Sequence, residues 1–527
     1  MSRARAHRLA LALFAAATLA ATARAGSGAT AAERDAGLGL WDASEAFESY
    51  ILSFPEETRE LDRALDELPA GSRVRRLRRT LSGAVLRLRA SQARAFAERH
   101  PSARLERDAV VTAQGFRTSA RRTNRNRDDD DDDDDAVDDA ARVSSFASAS
   151  ATPSRHDRPL HWGLDRVDQR RLPLDGRATR DPRAGAGTVL YVVDSGVFGG
   201  HADFGGRART AHDAFARDDV SPPFLRETRH TLDDSEDCFG HGTAVASLAA
   251  GAEAGLAPAA SIVSVRVLDC DGNGLVSDVV AGLETVAEHF DALLETRISE
   301  ISEIGNREEI EERSSIDSST LVSAALTLSL GVPAGRASRS LDTAVRALAE
   351  TRGIAVVAAA GNSEGSRRGV DACSFSPGRA RGALTVGATD AADRAWADGM
   401  TGRCVDLFAP GVEVLGASHA HQNAFAEWTG TSMAAPVVAG AILAAAAAAE
   451  TETDGRGAAA SLLDAATAGV LWDAWDEVDA FSDDTGEGER NGGVTFPVTW
   501  GARFRSLRAP PGRVLPGTPN KLLFHRE

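Results

Sequence analysis

The chain has 527 residues, of which 43% are hydrophobic, so it is long enough for more than one domain with a sizeable buried core. Its 59 basic and 77 acidic side chains give a formal net charge of −18. That balance argues against nucleic acid as the main partner, because phosphate binding requires clustered Lys and Arg. Four cysteines are too few for a disulfide-dense scaffold, but an even number in an exported chain allows two bridges.

Residues 1–25 are typical of a secretory signal peptide. They contain arginines but no acidic residue, pass through an apolar centre at 9–21, and end in Ala23-Arg24-Ala25. An organelle transit peptide shares this composition and is the alternative. No later stretch of the sequence reaches the roughly 18 to 20 apolar residues that span a bilayer. We therefore expect a secreted, extracellular protein without a membrane anchor, with a vacuole or another compartment of the secretory pathway as the alternative location.

Charge is distributed in blocks along the chain. Residues 73–127 hold 16 arginines against 3 acidic residues, whereas residues 128–140 hold 10 aspartates, including the unbroken run 128–135. Such a run cannot pair with itself, so residues 115–158 are predicted to form a disordered, acidic linker. A weak calcium-attracting tail is the alternative interpretation of the aspartates. The linker separates an N-terminal unit from a large C-terminal unit, residues 159–527.

The N-terminal unit, residues 48–114, has the pattern of a small α+β domain. The predicted order is strand, helix, strand, helix, strand, at residues 50–54, 57–68, 84–88, 91–100 and 105–111. We interpret this order as a sandwich of the ferredoxin-like kind. An unrelated binding domain is the alternative.

A carboxylate and an imidazole follow secondary-structure signals in the C-terminal unit. The β-branched run 188–193 predicts a buried parallel strand that stops at Asp194, and α/β sheets place their sites at the carboxyl ends of such strands. Asp-Ser-Gly is also an ordinary turn. Gly240-His241-Gly242-Thr243 then opens a helix of small residues, where a lone histidine is more often structural than catalytic.

A hydroxyl and a carboxamide complete a set of four groups. Ser432 lies in Gly430-Thr431-Ser432-Met433-Ala434-Ala435-Pro436, just before a predicted helix at 437–449, where backbone amides favour negative charge on an oxygen. Asn362 follows another buried strand, 354–357. A nucleophile, a base, a carboxylate that orients the base and an oxyanion donor are what acyl transfer requires.

With these motifs the chain resembles the subtilisin-like serine proteases, and within them the proteinase K and aqualysin group, over most of residues 160–527. The order Asp, His, Ser is that of subtilisin, and no Gly-x-Ser-x-Gly surrounds Ser432, which argues against an esterase or lipase. The resemblance implies an α/β, three-layer fold with a central, mostly parallel sheet. It also implies that Asp194 orients His241, that His241 acts as general base and then general acid, and that Asn362 stabilises the oxyanion with the Ser432 amide.

The resemblance further implies a disulfide pairing. By similarity to the aqualysin group, Cys238 pairs with Cys270 and Cys373 pairs with Cys404. From spacing alone, a zinc site formed by Cys238, His241 and Cys270 competes with this pairing, although it would consume the general base.

Two short segments resemble the substrate-binding strands of the family. They are Ser329, Leu330 and Gly331, which would pair with an extended substrate, and Ala359, Ala360 and Gly361, which would form the opposite wall of the first specificity pocket. Their small side chains predict a preference for a large apolar or aromatic residue before the scissile bond. Ordinary strand packing is the alternative.

No cofactor is expected to be required for the chemistry. A structural calcium ion, by resemblance to proteinase K, would use the Asp406 carboxylate and the backbone carbonyls of Arg381 and Ala383. The alternative is that Asp406 has no metal-binding role and only caps a backbone segment or forms an ion pair.

The N-terminal unit resembles the family's propeptide, a foldase and inhibitor that leaves its C-terminus in the active site until autoprocessing. Maturation is expected between about Ala136 and Leu160. Insertions near 216–236, 289–319 and 472–511 are expected to be surface excursions.

The sequence as a whole predicts a secreted, self-processing serine endopeptidase that acts on protein or peptide substrates through an acyl-enzyme. A monomer with no nucleic-acid partner is expected. The alternative is a binding or scaffold protein that keeps the fold without turnover because an insertion blocks the cleft.

Overall fold

The computed structural model describes residues 46–55, 59–69, 71–113, 162–215, 237–304, 322–333, 336–363, 370–449, 453–468, 472–473 and 521–523. The predicted signal peptide, the linker 115–158, the insertion 216–236 and nearly all of the insertion 472–511 lie outside the described residues.

The N-terminal unit is a four-stranded antiparallel sheet with two helices. Its elements are β1 (Phe47–Ser53), α1 (Arg59–Asp66), β2 (Arg73–Leu77), β3 (Gly83–Arg89), α2 (Ala90–Arg99) and β4 (Arg104–Arg107). The strand order β2-β3-β1-β4 with this βαββαβ sequence confirms the ferredoxin-like prediction. Leu52 and Leu86 of the sheet and Leu61 and Phe96 of the helices form its buried core.

Two features of this unit differ from the prediction. Strand β2 was not predicted, because its arginines interrupt the apolar alternation; it lies at the edge of the sheet and pairs with β3 alone, where charged residues are tolerated. The single strand predicted at 105–111 is two strands. The chain turns after β4 and continues as β5 (Val110–Ala113), which leaves this sheet and joins the C-terminal unit.

The C-terminal unit is built on a large, mostly parallel sheet. Its strands along the main path are β6 (Val189–Asp194), β7 (Ala208–Asp213), β8 (Ser261–Arg266), β10 (Ala324–Leu328), β12 (Ala355–Ala359), β13 (Ala383–Thr389), β15 (Leu407–Pro410), β18 (Thr467–Ala468) and β20 (Lys521–Leu522). The spatial order is β18-β20-β15-β13-β12-β10-β6-β8-β7, and every neighbouring pair from β20 to β7 is parallel.

The remaining strands are short and lie outside that path. They are β9 (Asn273–Leu275), β11 (Leu330–Gly331), β14 (Arg394–Ala395), β16 (Val414–Ala417), β17 (Phe425–Trp428) and β19 (Trp472–Asp473). The helices of this unit are α3 (Trp162–Val167), α4 (His241–Ala250), α5 (Val276–Ile304), α6 (Arg339–Arg352), α7 (Thr431–Ala448) and α8 (Gly455–Ala465), with single 3₁₀ turns at Ala202–Phe204 and Ala372–Ser374.

Helices cover both faces of the sheet, as the predicted three-layer fold requires. Along β6, Leu190 and Val192 pack in the cluster that contains α4 and α7, whereas Tyr191 and Val193 pack in the cluster that contains α5 and α6. A strand buried on both faces explains why the sequence shows a continuous apolar run rather than alternation.

Helix α7 is the central helix of the core. Contrary to the expectation that no later stretch has this length and composition, this helix, alone within the described part of the chain, is long and apolar enough to cross a membrane. However, 78% of that stretch is buried inside the protein. Its apolar composition therefore reflects burial against the sheet.

The first half of the predicted insertion at 289–319 continues helix α5, which is 29 residues long and ends at Ile304. Leu294 packs against the core, whereas Ile298 is 45% exposed. The apolar residues of the predicted amphipathic segment therefore contact the core only in the first turns of α5 beyond Phe290.

Candidate active site

Asp194 and His241 form a buried pair at the carboxyl end of the sheet. Asp194 is the last residue of β6 and His241 is the first of α4, and both side chains are fully buried. His241 Nδ1 lies 2.8 Å from Asp194 Oδ1. Because a carboxylate accepts this hydrogen bond, Nδ1 carries a proton, and in the neutral imidazole Nε2 then has the lone pair that a general base uses.

Gly242 allows the close approach of the two elements. A Cβ atom at this position would lie 2.0 Å from the backbone oxygen of Gly196, which follows the aspartate strand. The Gly-His-Gly-Thr motif is therefore a packing requirement as well as a turn signal. His241 Nε2 is buried and makes no hydrogen bond to the residues that the structure describes.

Ser432 is the second residue of α7, so it lies at a helix N-terminus as predicted, but the helix begins at Thr431 rather than at 437 and contains Pro436. Its Oγ donates to the backbone oxygen of Ser329 at 3.1 Å. Catalytic hydrogen bonds are often formed only when a substrate is bound, so this hydroxyl would have to turn from Ser329 toward His241 Nε2 for the predicted proton transfer.

Pro436 helps to fix the nucleophile. Proline has no N–H, so it cannot make the helical hydrogen bond to the carbonyl four residues earlier, that of Ser432. The hydroxyl of Ser329 donates to this carbonyl instead, at 2.8 Å. Two reciprocal hydrogen bonds therefore join Ser432 to the predicted substrate strand.

Asn362 is held by the residue before the nucleophile. Its Oδ1 accepts from the backbone N–H of Thr431 at 3.2 Å and from the Thr431 hydroxyl at 2.8 Å. A backbone N–H can only donate, so the carbonyl end of the carboxamide is identified and the NH₂ end points away from Thr431. The preceding Gly361 has φ +101°, and a Cβ there would lie 2.6 Å from Met400 Sδ, so this turn requires glycine.

Asp237, which the sequence did not single out, organises the turn before His241. Its Oδ1 accepts from the Ser195 hydroxyl at 2.9 Å and from the Gly240 N–H at 2.7 Å. Its Oδ2 accepts from the Thr243 N–H at 2.9 Å and from the Thr243 hydroxyl at 2.6 Å. One carboxylate thus joins the residue after Asp194 to the N-terminus of the helix that carries His241. An acidic residue just before a helix is a capping signal that could have found it.

Replacing Asp237 by asparagine should lower kcat about 10- to 100-fold with little change in KM. The amide NH₂ would face N–H and O–H donors, and the resulting misplacement of His241 acts on the chemical step. Asp390 caps its own turn through the Ala392 and Arg394 N–H groups at 3.0 and 2.9 Å, away from these residues. Asp390→Asn is the matched control in steady-state kinetics, and equal losses of kcat in the two variants would contradict this role.

The predicted substrate strand is paired with the N-terminal unit. Strand β5 lies antiparallel between β11 and β9 in a three-stranded sheet. Leu330 faces Ala113 and Gly331 faces Thr112, and the Ala113 N–H donates to the Gly272 oxygen at 2.9 Å. The structure therefore brings Ser329, Leu330 and Gly331 together with the nucleophile.

The segment predicted to form the opposite wall of the first specificity pocket is buried. Ala359 ends β12, and Ala359 and Ala360 are fully buried. The Gly361 N–H donates to the Thr431 hydroxyl at 3.2 Å, which links this segment to the nucleophile turn. Its role in substrate specificity stays a prediction.

Both predicted disulfides are present in the structure, Cys238–Cys270 and Cys373–Cys404. The zinc alternative is wrong, because the sulfur atoms of Cys238 and Cys270 are bonded to each other and are not free thiolates. The first bridge ties the Asp237 turn to the loop that follows β8.

The calcium site stays a prediction. Asp406 Oδ2 accepts from the Thr385 N–H at 2.7 Å, so one carboxylate oxygen already has a backbone donor. Burial raises the pKa of this carboxyl, and the positive charge of Lys521 opposes that effect. An ion there would depend on the other carboxylate oxygen and on the carbonyls of Arg381 and Ala383. In the described ranges no group of three or more His, Cys, Asp and Glu side chains is placed to hold a metal.

The sheet and these four groups define an α/β protein with Asp194 at the end of a parallel strand, Asn362 after another strand, and His241 and Ser432 at helix N-termini. Residues 185–477 match the family model described as the subtilase family of peptidases. The chain belongs to the subtilase family, and the resemblance to the subtilisin-like serine proteases is confirmed at this level.

Several known proteins that are similar in sequence to this chain are described as serine proteinases or subtilisin-like proteases. An extracellular serine proteinase of Thermus sp. (strain Rt41A) is 38% identical over 54% of this chain and 56% of its own length. Alkaline serine exoprotease A of Vibrio alginolyticus is 35% identical over 53% of this chain and 42% of its own length. Subtilisin-like protease 3 of Pseudogymnoascus destructans is 36% identical over 53% and 57%. The chain therefore spans about half the length of these relatives.

A solved structure was also similar. It is a cold adapted subtilisin-like serine proteinase, 29% identical, with a TM-score of 0.47, and the match covers 70% of this chain and 98% of that chain.

Proposed function

We propose that this chain is a secreted serine endopeptidase that hydrolyses peptide bonds in protein or peptide substrates. The observation that carries the proposal is the buried 2.8 Å hydrogen bond from His241 to Asp194, which leaves Nε2 to act as the base toward Ser432. The proposal is supported by the packing of α4 and α7, the helices that begin at His241 and Thr431, in one core cluster. Export is supported by the N-terminal sequence pattern and by the description of one relative as extracellular.

The reaction follows from these groups. His241 Nε2 takes the proton of Ser432 Oγ while the oxygen attacks the substrate carbonyl, and Asp194 stabilises the imidazolium that forms. The NH₂ of Asn362 and the Ser432 N–H stabilise the oxyanion. The imidazolium then protonates the leaving amine, and water releases the acyl group by the same steps in reverse order.

The N-terminal unit would act as an intramolecular inhibitor. Its strand β5 occupies the groove beside Leu330, and the carboxylate of Glu284 on α5 holds a loop of this unit. That carboxylate accepts from the backbone N–H groups of Arg78, Arg79 and Thr80 at 2.6, 2.7 and 3.0 Å. A cleft filled in this way excludes other substrates until the unit is removed. The preference for a large apolar or aromatic residue before the scissile bond stays part of the proposal.

A fluorophosphonate probe tests the activity. The processed wild-type protein should be labelled, and Ser432→Ala should lose all labelling because the nucleophilic oxygen is absent. Ser461→Ala, at an exposed serine of α8, is the matched control and should be labelled fully. Absence of labelling in the wild type after removal of the N-terminal unit would favour the scaffold alternative.

A further inference from the structure

We propose that Phe239 is a specificity-determining residue, because its ring restricts one position of the substrate groove to small side chains. That position, called the Ala113 site, is the part of the groove between Leu330 and Gly272 that Ala113 occupies in this structure. The inference rests on the proposed endopeptidase activity and names the class of peptide that this activity favours.

The Ala113 site is defined by backbone contacts on both sides. Ala113 faces Leu330 of β11, and on its other side its N–H donates to the Gly272 oxygen at 2.9 Å. An extended substrate that takes the register of β5 places one residue here. Because the strands are antiparallel, the next substrate residue lies opposite Ser329, whose carbonyl accepts from Ser432 Oγ at 3.1 Å. The Ala113 site therefore takes the substrate residue just before the one that the nucleophile attacks.

The side chain in the Ala113 site points into the protein. Side chains alternate along a strand, so Ala113 has the orientation of Val111 and is opposite in orientation to Thr112. Val111 is fully buried in the core cluster that contains Val276 and Leu330, and Ala113 packs against the same cluster. A larger side chain at this position would have to find room among packed residues rather than in solvent.

The ring of Phe239 lies beside this position. A Cβ atom on Gly272 would lie 2.7 Å from two atoms of the ring, so the ring packs directly on the residue that accepts the Ala113 N–H. The centre of the same ring is 6.3 Å from the centre of the His241 ring. Phe239 thus takes up the space between the substrate strand and the catalytic base, where a short side chain would leave room for a larger substrate residue.

The backbone that carries this ring is tied to the groove. Cys238, the residue before Phe239, is bonded to Cys270, two residues before Gly272. The Phe239 N–H donates to Asp237 Oδ1 at 3.2 Å. A large substrate side chain therefore meets a wall whose loop cannot withdraw from Gly272.

Two tetrapeptide p-nitroanilides measure the effect of this wall. Both end in phenylalanine before the anilide, and they differ only in the residue before it, alanine or leucine, which enters the Ala113 site. Each protein is expressed as the full chain and assayed after processing. We expect a wild-type kcat/KM about 10- to 100-fold higher for the alanine peptide, because extra methylenes do not fit a packed site. Phe239→Ala should lower this ratio to about threefold or less, mainly by a gain on the leucine peptide.

Phe198→Ala is the matched control. Phe198 is also half-buried, and its ring centre also lies 6.3 Å from that of a histidine, but this histidine is His201, which is not one of the catalytic groups. Phe198→Ala should keep the wild-type ratio. Phe239→Leu, which keeps an apolar contact with Gly272, should give an intermediate ratio. Since each ratio compares two substrates on one preparation, partial unfolding of a variant does not change it.

The possible results separate the two proposals. A wild-type ratio near one, or a wild-type ratio that both Phe239 variants retain, would overturn the role of Phe239 while leaving the endopeptidase supported. Hydrolysis of neither peptide, together with no labelling by the fluorophosphonate, would overturn the endopeptidase itself.

Discussion

Replacing Asp194 by asparagine should lower kcat/KM about 10³- to 10⁴-fold while the protein remains folded. Oδ1 of Asp194 accepts from both His241 Nδ1, at 2.8 Å, and the Ser195 N–H, at 2.7 Å. An amide oxygen can keep both contacts, but the negative charge that stabilises the imidazolium is lost. The loss appears in the transition state, so kcat should fall and KM should change little.

The matched control is Asp213→Asn at the end of β7, two strands from β6 in the sheet, where the carboxylate lies 3.6 Å from the Arg266 guanidinium and outside the catalytic groups. Steady-state kinetics on the processed enzymes and a thermal unfolding curve for each variant provide the comparison. A loss of less than tenfold in the folded Asp194→Asn variant would show that the 2.8 Å hydrogen bond is not catalytic.

Titration of Asp278 should make the processed complex release its N-terminal unit up to about 10²-fold faster at pH 8 than at pH 5. Asp108 of the N-terminal unit and Asp278 of α5 lie at the same interface, and within the described residues Oδ2 of each is buried without a hydrogen-bond partner. Burial raises the pKa of Asp108. Burial first, and then the charge of Asp108, raise the pKa of Asp278 to about 7, while Arg75 opposes this increase.

The direction of this pH dependence follows from the linkage between docking of the N-terminal unit and protonation of Asp278. The Asp278 pKa is about 7 in the docked state and is expected near the ordinary 3.8 once the carboxyl meets water, so docking takes up protons between these values. The contact is strongest below about pH 4 and weakens as pH rises to about 7, above which the loss is complete. The difference between the two pKa values sets an upper limit near 10³-fold. His212, next to Arg75 of the N-terminal unit, has its pKa lowered by burial to about 4 in the docked state. If release restores the ordinary value of 6.5, the titration of His212 opposes that of Asp278 below about pH 6.5 and reduces the net slope.

Asp278→Asn tests this directly, because a neutral amide removes the titration. Aliquots of the complex held at pH 5 to 8 would be assayed for peptidase activity at one fixed pH, so that only release varies. The variant should release slowly at every pH, and Asp181→Asn, at a side chain that is 46% exposed, should keep the wild-type slope. A pH slope that persists in Asp278→Asn would assign the effect to other groups.

Much of the site could be read from local sequence because each functional group follows an element boundary. Asp194 ends an apolar run, His241 follows a glycine at a helix start, and Ser432 begins a helix. Each of these signals is local: it comes from the hydrophobic periodicity of one strand or helix, or from the residues that start a helix. The order of the groups along the chain then indicated the family without any knowledge of distances.

Other features depended on contacts between distant segments. The role of Asp237 rests on Ser195, 42 positions earlier, and the fixed carbonyl of Ser432 rests on Ser329, 103 positions earlier. The edge strand β2 lacks an alternating pattern and forms because β3 offers hydrogen bonds. No local propensity encodes such pairings, since a charged or polar residue looks the same in sequence whether it is solvated or buried.

The sequence by itself determined the composition of this protein: a basic N-terminal unit, an acidic linker, and an α/β unit with a serine, a histidine, an aspartate and an asparagine at element ends. Only the tertiary structure decided how the two units meet. It placed β5 between β11 and β9, set the register that puts Leu330 opposite Ala113 and Gly331 opposite Thr112, and buried Asp278 near Asp108. The physical reason is that strand register and carboxylate burial are properties of a packed interface, where both partners must be present before either is defined.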